Sequence, residues 1–148
     1  MYHYQIPEIE IRYKNNNTIK KKITNSKDCY EIMKDFFNDD TFDLIEELVV
    51  LYFDTSNQTL GWFRVSQGGI SSSVVDPRII FGIGLKAGAS SMIISHNHPS
   101  GQITPSPADN NITRKLVKGG KLLGINLLDH IVVTRTGYYS YADHGELH

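Results

Sequence analysis

The sequence predicts an α/β protein built on a single mixed β-sheet flanked by helices, and three observations carry that prediction. Short β-branched and aromatic runs alternate with stretches of helical periodicity in the order β, α, β-β, α, β, α, β-β. The 148-residue length is that of one ordinary domain, enough to bury a single core. No apolar run approaches the roughly 20 residues that a membrane span requires, and 40% hydrophobic with 21% charged residues excludes a disordered or membrane-embedded class.

Residues 1–24 read as an extended arm, a strand or hairpin, because Ile9, Ile11 and Tyr13 alternate with Glu10 and Arg12 ahead of the turn-prone Asn15-Asn16-Asn17. Ser26 is expected to cap a first helix in which Cys29, Ile32, Met33, Phe36 and Phe37 recur at helical spacing until Asn38-Asp39-Asp40. ELVVLYFD (47–54) and LGWFRVS (60–66) read as a hairpin about the turn Asp54-Thr55-Ser56-Asn57-Gln58. GGISSS (68–73) is loop by composition. Asp76 and Pro77 then fit the N-cap and first position of a second helix running to about Lys86, its apolar face formed by Ile79, Ile80, Ile83 and Leu85. SMIIS (91–95) has the length and composition of a buried strand, which places His96 at its C-terminal end. A third helix is expected from Pro107 to about Leu123, closed by Gly124, followed by strands over 127–134 and 138–141 joined at Arg135-Thr136-Gly137. With no repeat or linker visible, the chain divides into an N-terminal strand or hairpin plus first helix (1–42) and a core (43–148), within one compact domain.

Fifteen Lys+Arg against sixteen Asp+Glu give a net charge of −1, no general footprint for nucleic acid. The local runs Lys20-Lys21-Lys22 and Arg114, Lys115, Lys118, Lys121 read as solvated faces. The N-terminus lacks the basic start and apolar stretch of a secretory signal, so the expected location is cytoplasmic. Cys29 is the single cysteine, which excludes an internal disulfide and a cysteine-rich metal cluster; a metal here requires His and carboxylate ligands.

SHNHPSGQITPSPADNN (95–111) supplies such ligands. Histidines at i and i+2 on a strand end project to the same face, so His96 and His98 can share one metal, and Asp109 can join them from the next helix. Three N/O ligands with a fourth position open is the arrangement of a catalytic zinc site, whereas a structural site is closed. Ser106-Pro107-Ala108-Asp109 is also a near-ideal helix start, and capping alone explains Ser106 and Asp109; it does not explain the histidine pair. Hydrolysis at such a metal needs a carboxylate beside the water as general base. Glu46 and Glu47 stand at a strand start, and since adjacent strand residues point to opposite faces, only one of them can face the metal.

Glu, then His-x-His, seven residues, Ser, two residues, Asp resembles the JAMM (MPN+) metalloprotease signature, carried here by Glu46 or Glu47, His96-Asn97-His98, Ser106 and Asp109. More narrowly, HNHPSG, TPSPAD, LLGINLLDHIVV and GYYSYADHG resemble the RadC-like branch of the JAB/MPN superfamily, long labelled a DNA repair protein, over about residues 43–145. The resemblance implies the JAB/MPN, cytidine-deaminase-like architecture. It also implies Zn²⁺ on His96, His98 and Asp109, a hydrogen bond from Ser106 near the water or developing oxyanion, and a glutamate that activates the water. The family pattern E-x-F-x-V-L selects Glu46, with Glu47 as alternate. Val75-Asp76-Pro77-Arg78-Ile79 departs from the Val-His-Pro-Arg-Glu of many RadC-like chains, and residues 1–45 show no helix-hairpin-helix pattern. His130 reads as a core or supporting residue, outside the ligand set. The expected function is zinc-dependent hydrolysis of a peptide or isopeptide amide; the alternative is a DNA-repair-associated or protein-binding module with a non-catalytic metal site.

Overall fold

A computed structural model of the chain describes residues 7–14, 20–67 and 75–148. Among these, the elements in chain order are α1 (Ser26–Met33) with a following 3₁₀ turn (Lys34–Phe36), β1 (Glu47–Phe53), β2 (Thr59–Gln67), α2 (Pro77–Ala87), β3 (Ser91–Asn97), α3 (Pro107–Leu123), β4 (Asn126–Val133) and β5 (Tyr138–Ser140). The strands form one mixed sheet in the order β2-β1-β3-β4-β5, with β3 and β4 parallel and the other neighbours antiparallel. The expected α/β class with a single mixed sheet is the observed one.

Both faces of that sheet are covered, which is why β1 and β3 are buried along their whole length. Leu48, Val50 and Tyr52 point to one side, where Ile80 and Phe81 of α2 and Leu116 and Val117 of α3 close over them together with Met92 and Ile94 of β3. Val49, Leu51 and Phe53 point to the other and meet Cys29, Met33, Phe37 and Phe42. Each such side chain contributes roughly 1.5–3 kcal/mol by leaving water, so the two clusters fix β1 and β3 as the rigid centre of the molecule. Cys29 belongs to this core, and burial, with the nearby Asp129 charge, pushes its thiol up to about 12, the behaviour of an inert packing residue.

Several expectations are corrected. Residues 7–14 form no strand, and Ile9 and Ile11 are exposed; the arm touches the rest through Tyr13 Oη donating to Leu60 O and Lys86 Nζ donating to Ile11 O. The only bridge among the described residues of this region is Lys22 with Gln58, and the expected Asn15-Asn16-Asn17 turn lies outside the described residues, as does GGISSS. The cap of α1 is Asn25, whose side chain accepts from Asp28 N at 2.8 Å, so Ser26 is already helical. The buried face of α2 is Ile80, Phe81 and Gly84, while Ile79 and Leu85 face solvent. The physical reason is Gly84: a Cβ there would come within 3.0 Å of Ile125 Cδ1 and 3.1 Å of the Tyr52 ring, so a close contact of the helix is made by a residue that leaves no hydrophobic signal. No helix among the described residues is long and apolar enough to cross a membrane.

Candidate metal centre

Sheet register brings together residues that are remote in the chain. β1 and β3 pair antiparallel with Leu48 opposite His96, so two residues further along each ladder direction Glu46 and His98 meet at the same end. His96 and His98 share a face by strand alternation, and Asn97 between them takes the other. The chain then turns, Gly101 adopting φ +82° as its N–H donates to His98 O at 3.0 Å, and re-enters at Ser106. Ser106 Oγ accepts from Asp109 N and Asp109 Oδ2 accepts from Ser106 N at 2.7 Å, a reciprocal capping box that starts α3 and aims the Asp109 carboxylate at the histidines. Capping and site-building are thus the same geometry.

Ligand-type atoms of Glu46, His96, His98 and Asp109 all lie within 4.8 Å of one another. His96 Nε2 is 2.8 Å from His98 Nε2, and each is 3.2 Å from an oxygen of Asp109, Oδ1 for His96 and Oδ2 for His98. Glu46 Oε1 stands further back, 3.9 Å from both ring nitrogens. Glu47 does not take part: its carboxylate is buried on the opposite side, 2.9 Å from Arg64 Nε. The cluster lines a cleft of about 450 Å³ together with Leu48, Val75, Ser106, Ile112 and Lys115.

Hydrogen-bond accounting fixes the polarity of both imidazoles. His98 Nδ1 faces Gln102 O at 2.6 Å, an oxygen that can only accept, so Nδ1 carries the proton. His96 is set at longer range. Thr113 Oγ1 donates its single proton to Asp109 O at 2.7 Å and must therefore accept from His130 Nδ1 at 2.6 Å. Completely buried, His130 is held neutral, its pKa well below the ordinary value through burial and then through the neighbouring His96. Its Nε2 accepts from His96 Nδ1 at 2.7 Å. Both histidines then present Nε2 lone pairs to the same point, joined there by two carboxylates that can only accept.

Such a convergence of acceptors requires positive charge. The titration directions say the same: burial pulls His98 down, but hydrogen bonds to Asp109 and the Gln102 carbonyl outweigh it and raise the pKa. Burial would raise Asp109, yet the paired imidazoles hold it far below the usual carboxylate range. Protons can supply the charge, and so can a divalent metal, for which the donor set of imidazole nitrogens and carboxylate oxygens is well suited. Tetrahedral ligands at about 2.0–2.1 Å from an ion stand about 3.3 Å apart; the Asp109 oxygens are at 3.2 Å from the two imidazole nitrogens and the nitrogens at 2.8 Å from each other, so the donor set fits an ion once the histidine pair opens by about half an ångström.

Three supporting residues went unread in the sequence: Asn97, Thr113 and the specific role of His130. Thr113 carried a signal, since it lies four residues after Asp109 on the same helix face.

Fold and site together define an α/β protein with a His/carboxylate cluster suited to a divalent metal at the open end of its sheet. The chain belongs to the RadC-like JAB domain family, whose model matches residues 23–146. Among its relatives it is 42% identical over 125 residues to a UPF0758 protein of Flavobacterium johnsoniae, covering 84% of this chain and 53% of that protein. A UPF0758 protein of Methanosarcina mazei is 43% identical over 126 residues, with 85% and 54% covered. One of Chlorobaculum parvum is 38% identical over 140 residues, with 95% and 62% covered. The chain thus spans about half the length of the curated relatives it matches.

Proposed function

We propose that the protein is a zinc-dependent amide hydrolase acting on a peptide or isopeptide, with His96, His98 and Asp109 as metal ligands and Glu46 as general base. The observation that supports this reading above others is the unequal spacing of the cluster. The two imidazoles and Asp109 sit 2.8–3.2 Å from one another, while Glu46 Oε1 is set back to 3.9 Å from each imidazole. A closed structural site draws all of its ligands to one distance; three near and one withdrawn leaves a place for water between the carboxylate and the ion. Zinc in such a site polarises a carbonyl and brings the pKa of water down to about 7.

The remaining chemistry belongs to the chain. Glu46 accepts a proton from the attacking water as its oxygen forms a bond to the amide carbon, then returns that proton to the leaving nitrogen as the C–N bond breaks, releasing a carboxylate and an amine. Ser106 Oγ already accepts from Asp109 N, which leaves its hydroxyl proton to donate into the cleft toward the developing oxyanion. The opposing reading, a protein- or DNA-binding module with a non-catalytic ion, gives Glu46 no task. Glu46→Gln is expected to retain stoichiometric zinc and to lower turnover of a fluorescence-quenched peptide pool by about 10²–10⁴-fold, the usual contribution of a general base. Unchanged turnover in that variant, or zinc binding without any metal-dependent cleavage in the parent, would remove the reading.

A further inference from the structure

Asn97 sits between the two ligand histidines, yet its side chain points away from them and is 1% exposed. Its carboxamide makes three hydrogen bonds, all to the backbone that delivers Glu46. Nδ2 donates to Phe42 O at 2.8 Å and to Ile45 O at 2.9 Å, and Oδ1 accepts from Glu47 N at 2.7 Å. The partners fix the orientation of the amide, because two carbonyls can only accept and an N–H can only donate. Two of the three bonds fall on the residues immediately before and after Glu46.

The position of these bonds matters because β1 begins only at Glu47. The approach to it, residues 41–45, is a turn closed by Leu44 N and Ile45 N donating to Thr41 O, outside the sheet ladder. We propose that Asn97 is a positioning residue that clamps this approach to the ligand-bearing strand and so sets the distance between Glu46 and the His96–His98–Asp109 set. The proposal rests on the reading of Glu46 as general base. It also accounts for the residue type. Two donors and one acceptor must leave one short side chain; aspartate has no donor, serine and threonine have one, leucine has neither function, and glutamine is a methylene too long. The strand that carries two ligands therefore also carries, on its opposite face, the residue that gauges the position of the base.

The test uses the full chain loaded with zinc, and with cobalt(II) as a spectroscopic stand-in. Asn97→Asp keeps the shape and loses both donors; Asn97→Ser keeps one donor and the acceptor and remains informative should the aspartate variant fail to fold. For Asn97→Asp the expected results are a zinc affinity within about 3-fold of the parent, since no ligand is touched, and turnover reduced roughly 10–100-fold, the cost of a displacement on the order of 1 Å. The cobalt(II) visible spectrum should move in the same direction as that of Glu46→Gln, and Asn97→Ser should fall between parent and Asn97→Asp. A cobalt(II) spectrum unchanged in Asn97→Asp while Glu46→Gln alters it overturns the positioning role alone. Zinc affinity falling in step with thermal stability overturns it in favour of a general structural role. If Glu46→Gln itself changes neither spectrum nor turnover, the reading of Glu46 and the proposal fall together.

Discussion

Two aspartates near His130, Asp109 half-buried and Asp129 buried, have opposite electrostatic surroundings. Asp109 looks into the cleft, between two imidazoles, and is held strongly acidic despite its burial. Asp129, the residue before His130 on β4, accepts from Ser140 Oγ at 2.6 Å and from the backbone N–H of Ala142 and His130, with no cation against it among the described residues. There burial dominates, and its pKa is raised even though those three hydrogen bonds oppose the rise. Both carboxylates are well satisfied by hydrogen bonds, but only Asp109 is surrounded by groups that call for an ion. Hydrogen-bond satisfaction marks a structural aspartate; convergence of further acceptors marks a metal site.

The comparison breaks most directly under one substitution made twice. Asp109→Asn should weaken zinc binding by more than about 100-fold, beyond the 10–100-fold typical of outer-shell partners, measured by competition with a chromophoric chelator. Asp129→Asn should leave zinc affinity unchanged and, at about pH 3 where the parent carboxyl is largely protonated, alter unfolding free energy by less than about 1 kcal/mol, because an amide can accept from the two N–H groups and donate to Ser140. A zinc-binding loss in Asp129→Asn would erase the distinction. A smaller effect is expected along the Thr113–His130–His96 chain: Thr113→Val should cost about 10-fold in zinc affinity at the low end of that range, whereas Thr113→Ser, which keeps the hydroxyl, should restore it.

The smallest effect concerns acid stability of the metal-free protein. A depressed carboxyl pKa contributes stability that is present above the unfolded value of about 3.9 and lost as pH falls toward the folded one, which is the direction for Asp109. A raised one acts oppositely, favouring the fold at low pH and losing that contribution as pH rises through the folded value, which is the direction for Asp129. Denaturant melts of Asp129→Asn across pH 3–7 should therefore show a steeper gain in stability with rising pH than the parent, about 1.4 kcal/mol for every tenfold by which folding weakens the Asp129 acid. Parallel curves would show that Asp129 does not titrate differently in the folded state.

Much of this was legible in the chain because the relevant signals are local. α3 begins at Pro107 and ends before Gly124 as its cap residues demand, and the strand runs ELVVLYFD and SMIIS lie where β1 and β3 form. The co-location of Glu46 with the histidines followed from a family pattern and has its cause in antiparallel register, which no local propensity encodes. What could not be read were contacts made by absence or by polarity. Gly84 packs a helix through a missing side chain, the alternating arm at 7–14 found no strand to pair with among the described residues, and Asn97 and Thr113 act through hydrogen-bond direction rather than residue class.

The two imidazoles of the cluster are anchored to different kinds of matter. His96 leans on His130 and, through it, on Thr113 in the sealed interior of the sheet, whereas His98 leans on the carbonyl of Gln102 in the exposed loop between β3 and α3. Loss of the Gln102 carbonyl would remove the acceptor of the His98 Nδ1 proton and leave His96 untouched, while the His98 backbone stays tied to β4 through its N–H on Val133 O at 3.0 Å. The two rings of one cluster therefore take their orientation from separate sources, His96 from side chains of the interior and His98 from a single backbone carbonyl, so the residue type at position 102 matters less there than the path of the chain that carries it.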